Sequence, residues 1–583
     1  MISAEKLSFG FGGKELFHGI SFSLEEGSHC ALIGSNGAGK TTLTNLLRRP
    51  EEYLYDGKLR FEEVGRIGYV SQFAVRDKDQ DMTVFDYLSQ DFLSLRSEID
   101  DVCGQMASAE DLDALLERYQ QLLDESEAMD ADNYEVNIRR QLYLTKLTEK
   151  KNLSLYALSG GEYKLVQVIR QMLRRPGLLI MDEPDVFLDF ENLAGLRDLI
   201  NSYKNTLLVV THSRYLLAHC FDRIWHLENG DLQEYCGSFQ AYRHAQLQAK
   251  IDLRLDVLKD EAEIQRITEL VERLRDDATE VIDPQKGRTL KGKVSYLERL
   301  EKRRIKTPFV EIRQPEIRFP DVEPQETTEP LLTVEDYSLS FEKSLLEHVS
   351  FSVASGEKVA LVGPNGTGKT SMLREIWKNR HPAIHFSENA DVGFFSQLQE
   401  EVMDEDHTLY QVFYDMGFPT PASVEAHLAR YCFDPEGLGR KVSKLSGGEK
   451  NLLQLARLAV GNANLLLLDE PSSHLDTFAQ IALEEALRAY RGAVLMVSHD
   501  FYHIVSCADK ILYVENGTLR PISARAFRKM IYKRHFDKDY LELEQQRSAL
   551  ETRISRALEA GDCAEAQVLC DRLGAVVRQM ENN

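Results

Sequence analysis

Two five-residue stretches constrain this chain more than anything else in it: Leu158-Ser159-Gly160-Gly161-Glu162 and Leu445-Ser446-Gly447-Gly448-Glu449. Each precedes an apolar-periodic run and reads as a helix N-terminus, where glycines leave backbone N–H groups bare and the helix dipole favours an anion. Their surroundings keep step. The pair Asp182-Glu183 begins 23 residues after Ser159, and Asp469-Glu470 begins 23 residues after Ser446. His212 stands 29 residues beyond Glu183, and His499 stands 29 beyond Glu470. Chance motifs do not keep register in this way, so a duplicated domain is the compact explanation.

Each copy opens with a loop of phosphate-binding type. The apolar run His29-Cys30-Ala31-Leu32-Ile33 predicts a buried strand ending in Gly34-Ser35-Asn36-Gly37-Ala38-Gly39-Lys40-Thr41-Thr42. The second copy reads Gly363-Pro364-Asn365-Gly366-Thr367-Gly368-Lys369-Thr370-Ser371. The glycines let the loop wrap phosphates closely and its N–H groups cradle them. Lys40 and Lys369 reach the β- and γ-phosphates, and Thr41 and Thr370 offer an oxygen to Mg²⁺. The runs Leu178–Met181 and Leu465–Leu468 predict strands that deliver Asp182 and Asp469 to Mg²⁺. Glu183 and Glu470 are then placed to orient or deprotonate an attacking water.

A chain of 583 residues is too long for one core and suits two α/β domains with extras. Its eight cysteines are scattered with no C-x-x-C pair, which reads as reduced thiols in a cytoplasmic protein. Met1-Ile2-Ser3-Ala4-Glu5 does not read as a signal peptide, and no apolar run approaches the ~18–20 residues of a membrane span. The formal net charge of −24 argues against general nucleic-acid affinity.

The motif order resembles the ATP-binding cassette superfamily, whose signature is LSGGE. The resemblance implies P-loop α/β domains that bind ATP and Mg²⁺. It also implies that the signature of one domain closes on the nucleotide of another: Lys40 shares a site with Ser446, Gly447 and Gly448, and Lys369 with Ser159, Gly160 and Gly161. A single chain, a monomer, then completes both sites. Gln72 and Gln397 match the Q-loop, which joins Thr41 with Asp182, and Thr370 with Asp469, around Mg²⁺; a solvated loop glutamine is the plain alternative. His212 and His499 match the switch histidine, although a lone histidine at a strand end is more often structural. Phe11 and Phe341 stand where the superfamily stacks adenine, or serve as core residues.

The copies also diverge. Asp185-Val186-Phe187-Leu188-Asp189 faces Ser472-Ser473-His474-Leu475-Asp476, which is close to the superfamily's D-loop, and Thr211-His212-Ser213-Arg214 faces Ser498-His499-Asp500. Both copies keep the phosphate and Mg²⁺ residues, so both are expected to bind ATP, while equal turnover stays open.

The expected domains are a first cassette over 1–240, a linker over 241–330, a second cassette over 331–525 and a helical hairpin over 526–583. Gln72 to Ser159 spans 87 residues against 49 for Gln397 to Ser446, which places a helical insertion at about 92–145. Leu112, Leu115, Leu116, Tyr119, Leu122 and Leu123 give it helical spacing. In the linker, Leu253, Val257, Ile264, Ile267, Leu270, Val271 and Leu274 stripe a helix from about 240 to 276. A second helical run at 289–305 follows turn chemistry at 283–288. Between Pro284 and Val310 nine Lys and Arg stand against two acids, a polyanion-binding tip or a solvated face. The C-terminal stretch reads as a coiled-coil hairpin turning at Ala560-Gly561-Asp562, which binds a partner or covers the second cassette.

Two cassettes, no membrane span and a charged helical linker resemble the ABC-F family over nearly the whole chain. That implies an ATPase binding the ribosomal E site, with linker 284–310 reaching rRNA and P-site tRNA, as a translation factor or an antibiotic-resistance protein. The alternative is the tandem ATPase subunit of an importer whose pore is a separate membrane chain.

Overall fold

The computed structural model describes the chain apart from residues 12–13, 63–64, 73–80, 107–111, 187, 281–292, 295–313, 323–328, 342–343, 533–537 and 582–583. It divides into two compact units, one of residues 1–236 with 313–531 and one of 237–312 with 532–583.

The first unit holds both cassettes, each built on a six-stranded sheet. In the first the strand order is Ile67–Val70, Leu178–Asp182, Thr206–Val210, His29–Ile33, Arg223–Glu228 and Asp231–Cys236, parallel except for the last pair. In the second it is Val392–Phe395, Leu465–Asp469, Ala493–Val497, Lys358–Val362, Lys510–Glu515 and Thr518–Ile522, again with an antiparallel edge. Helices cover parallel sheets on both faces, which explains why Leu178–Asp182 and Leu465–Asp469 are buried at every residue and read as unbroken apolar runs. The phosphate loops, the acid pairs and the histidines all follow the C-terminal ends of these strands, where α/β sheets place ligands.

A small antiparallel sheet joins each cassette. In the first, Ile2–Phe11 pairs with Lys14–Leu24 through several register shifts. The bulges let Phe9 and Phe17 both turn inward despite the broken alternation.

The helical region of the first cassette consists of Val84–Met106, Asp113–Met129 and Tyr134–Leu144. In the second cassette only Leu409–Tyr414 and Pro421–Ala429 stand there. The expected apolar stripe is mostly not a core. Only Leu122 of its six residues is buried, while Leu112, Leu116 and Leu123 are exposed, since one neighbouring helix covers one flank of Asp113–Met129. Residues 314–322 run extended over the second cassette: Glu316 N–H donates to Arg430 O at 2.7 Å, and Ile317 is buried.

The second unit contains the linker helix Phe239–Glu280, which starts where expected and runs about a turn beyond the expected end near 276. Ile267 and Val271 are buried, Leu270 is exposed, and the side chains of Ile264 and Leu274 lie outside the described residues. Helices Lys538–Glu559 and Cys563–Glu581 form the C-terminal hairpin, reversing at Gly561 with φ +78°. The hairpin packs apolar residues on the linker helix of its own unit. Leu247 and Ile251 of the linker helix share one core with Ile554, Ala557, Leu569, Cys570, Leu573 and Val577. The second linker helix and the basic stretch 284–310 lie outside the described residues, apart from Lys293 and Val294, which are helical.

Candidate nucleotide sites

The signature stretches form helix starts, but their acid is used locally. Ser159 Oγ accepts from Glu162 N–H at 3.3 Å, and Glu162 accepts from Ser159 N–H at 2.9 Å. Ser446 and Glu449 repeat the capping box at 3.3 and 2.8 Å. Glu162 also pairs with Lys150, and Glu449 with Arg440. What remains for a ligand is the glycine backbone and the dipole end.

Each phosphate loop folds around its own lysine. Lys40 Nζ donates to Gly34 O and Ser35 O, both at 2.9 Å, and Lys369 Nζ to Gly363 O at 2.9 Å and Pro364 O at 2.7 Å. Both lysines are buried, and burial holds both below the ordinary lysine range. Gly37 and Gly39 take φ +84° and +100°, and Gly366 and Gly368 take +78° and +88°, a region that favours glycine. Thr42 and Ser371 stand in the first turns of the helices that follow.

The two loops lie against opposite cassettes. Asn36 Nδ2 donates to His474 O at 2.8 Å, and its N–H to Asp476 Oδ2 at 3.3 Å. A Cβ at Gly448 would collide with Asn36 Nδ2 and sit 2.6 Å from His474 O, so the second signature must be glycine where the first loop meets it. In the other half, Asn365 N–H donates to Asp189 Oδ2 at 3.1 Å. Asp189 and Asp476 each also cap their own helix. These two aspartates end the paired stretches 185–189 and 472–476, but their part in seating the opposite loop was not read from the sequence.

The acid pairs sit in matching strained geometry. Glu183 and Glu470 have φ +45° and +51°, and their N–H groups donate to Val210 O and Val497 O, both at 2.9 Å. A non-glycine residue held there costs roughly 1–3 kcal/mol and belongs to functional sites more than to plain structure. Their side chains differ in partner. Gln72 Nε2 donates to Glu183 Oε2 at 2.6 Å, whereas His499 N–H donates to Glu470 Oε2 at 3.1 Å, with His499 Nε2 3.6 Å from Oε1. Burial pushes Glu183 up to about 7 and Glu470 up to about 8.

Asp469 fits a cation. Oδ1 accepts from Thr370 Oγ1 at 2.9 Å, Oδ2 is buried without a hydrogen-bond partner, and burial raises the carboxyl to about 6. Asp182 accepts from the hydroxyls of Thr41 and Tyr69 and is also raised by burial. Among the described residues no group of three or more His, Cys, Asp or Glu could hold a metal by itself. A magnesium ion here would therefore take most of its oxygens from phosphate and water, as Mg²⁺ commonly does.

Burial keeps both histidines neutral: His499 falls to about 3 and His212 lies well below its ordinary value. Both ring nitrogens of His212 are buried without partners, so the ring is available to a ligand. Phe341 is exposed, and the Phe11 side chain lies outside the described residues.

The divergences between the copies prove to be mates. Arg214 of the first cassette donates to Glu484 and, at 3.2 Å, to Asp500 of the second, all three at most one-fifth exposed. Ser35 carries a further difference that sequence reading missed. Its N–H donates to Glu228 at 2.9 Å and its hydroxyl to the same carboxylate, a contact Pro364 cannot copy.

This geometry, two P-loop α/β domains with each loop against the other's glycine signature or D-loop, defines a tandem nucleotide-binding cassette protein. The comparisons agree. Residues 17–186 and 346–473, about half of the chain, match the family described as ABC transporter, and the chain belongs to that family. It is 28% identical to the uncharacterized ABC transporter ATP-binding protein YfmM of Bacillus subtilis, over 86% of this chain and 96% of that one. It is 27% identical to ABC transporter F family member 5 of Arabidopsis thaliana, over 89% and 75%. The archaeal ribosome recycling factor aABCE1, solved in complex with the ribosomal stalk protein aP1, shares the fold at 18% identity, with TM-score 0.52 over 91% of this chain and 92% of that. The relatives bear out the resemblance to ABC-F proteins. Among the described residues no helix is long and apolar enough to cross a membrane.

Proposed function

We propose that the chain is an ATP-hydrolysing ABC-F protein of the cytoplasm that binds the ribosome at its E site, with residues 284–310 directed to rRNA and P-site tRNA. ATP closes the two cassettes and favours binding; hydrolysis favours release. The reading serves a translation factor or an antibiotic-resistance ribosome protection protein. The observation that carries it is the reciprocal seating of Asn36 on His474 and Asp476, and of Asn365 on Asp189. Such seating lets one chain assemble two ATP sites. F family members among the relatives, and a fold shared with a ribosome recycling factor, support the ribosome as the target.

In this reading the loops Gly34–Thr42 and Gly363–Ser371 hold the phosphates, and the opposite signature's Ser-Gly-Gly closes each site. Thr41, Gln72 and Asp182 would hold Mg²⁺ in one site and Thr370, Gln397 and Asp469 in the other. The bound ion supplies charge neutralisation at the β- and γ-phosphates. Glu183 and Glu470, each close to neutral pH in proton affinity, receive the proton of the attacking water. His212 and His499, neutral and buried, donate to the γ-phosphate.

Co-sedimentation tests the proposal. The Glu183→Gln/Glu470→Gln double variant, which binds but does not hydrolyse, is expected to pellet with ribosomes in the presence of ATP and not without it. A variant that stays in the supernatant, or fractionates with membranes, refutes the ribosomal reading.

A further inference from the structure

The two sites differ at one correlated set of buried residues. Counted from the signature serines, Lys164, Asp185 and Thr211 of the first cassette occupy the places of Asn451, Ser472 and Ser498 in the second. Lys164, 3% exposed, projects from its cassette's signature helix, Gly160–Leu173, and its Nζ donates to the main-chain carbonyls of Ser71 and, at 2.9 Å, Gln72. Asp185 accepts the Thr211 hydroxyl at 2.7 Å and lies within electrostatic reach of Lys164. A buried ammonium group is costly without an anion, so the lysine and the aspartate come as a set.

The second cassette grips the same loop without charge. Gln454 exchanges two hydrogen bonds with the main chain of Ser396, both at 3.0 Å, and Ser396 precedes Gln397. Asn451, in the place of Lys164, instead donates to Ser473 O at 2.6 Å. In the first cassette the grip thus reaches one residue further, onto Gln72 itself. The Gln72 side chain is committed as well, to Glu183.

We propose that Lys164 is a positioning residue of the first site: by fixing the Gln72 main chain to the signature helix it holds the Gln72 amide on Glu183, and it makes the Lys40 site the slower of the two. Asp185 is its counter-charge. The proposal rests on the ATPase reading above. The Gln72 amide donates to Glu183 Oε2 and makes the carboxylate a weaker base toward the attacking water while that bond lasts. With the backbone clamped, the glutamine stays on the carboxylate, and one charge-assisted hydrogen bond, strongest to the ionised acid, is weakened on the way to the transition state. Removing that demand corresponds to about tenfold in rate, about 1.4 kcal/mol.

Two grafts test it. In a Glu470→Gln background ATP turnover reports the first site, and Lys164→Asn/Asp185→Ser gives that site the second cassette's residues. Its kcat is expected to rise about tenfold, with KM for ATP within about twofold. In a Glu183→Gln background the reciprocal graft, Asn451→Lys/Ser472→Asp, is expected to lower kcat of the second site. A first-site kcat that stays unchanged or falls, or a reciprocal graft without effect, overturns the proposal. Wild-type protein that hydrolyses no ATP refutes the ATPase reading itself, whereas wild-type turnover with both grafts silent refutes only the role of Lys164.

Discussion

Replacing Glu183 by glutamine should stabilise the nucleotide-free protein, and only above a defined pH. The carboxyl is buried beside Asp185 and Asp182, and its proton affinity rises from the ordinary 4.5 to about 7. A group that holds its proton more tightly when folded contributes stability that is complete below 4.5 and is lost as pH rises through 7. Moving a carboxyl from 4.5 to about 7 corresponds to about 3 kcal/mol at the alkaline end. Glutamine removes that loss while its side-chain oxygen still accepts from Gln72. Urea unfolding of the cassette unit at pH 5 and at pH 8.5 measures it. Wild type and Glu183→Gln should nearly coincide at pH 5, and the variant should be more stable at pH 8.5 by on the order of 3 kcal/mol. An equal difference at both pH values, or a variant weaker at pH 8.5, would refute the burial argument.

Other outcomes follow from the same packing. Glu470→Gln should act with the same sign over a wider window, from 4.5 to about 8, read in the same unfolding experiment. Arg214→Ala leaves Glu484 and Asp500 buried without their shared cation, and should cost about 3–5 kcal/mol in unfolding of the cassette unit. Leu573→Ala opens the fully buried core shared by the linker helix and the C-terminal hairpin. It should destabilise the second unit by about 2–5 kcal/mol, read as a shifted transition in calorimetry.

The acid strands, the phosphate loops and the signature helices were legible because they are runs of local chemistry. An apolar stretch buried on both faces, a glycine loop and a capped helix start each announce themselves within ten residues. What the sequence hid was pairing over distance. Arg214 and Asp500 read as unrelated departures from a pattern, yet they form one ion group 286 residues apart in sequence. Lys164 drew no reading at all, because nothing local shows that its tip reaches the Gln72 loop. Comparing the copies position by position, Lys164 with Asn451 and Asp185 with Ser472, was the signal that could have found it. The exposed stripe of Leu112, Leu116 and Leu123 misled in the other direction: helical periodicity shows a face, not that anything covers it.

The central claim is that the first phosphate loop works with the second signature. Gly448→Arg places a long side chain where Asn36 and His474 leave room for no Cβ. ATP turnover should be abolished by Gly448→Arg in a Glu470→Gln background, where only the Lys40 site is active, and largely retained in a Glu183→Gln background, where only the Lys369 site is. Equal loss in both backgrounds, or the reverse order, would contradict the pairing on which both sites depend.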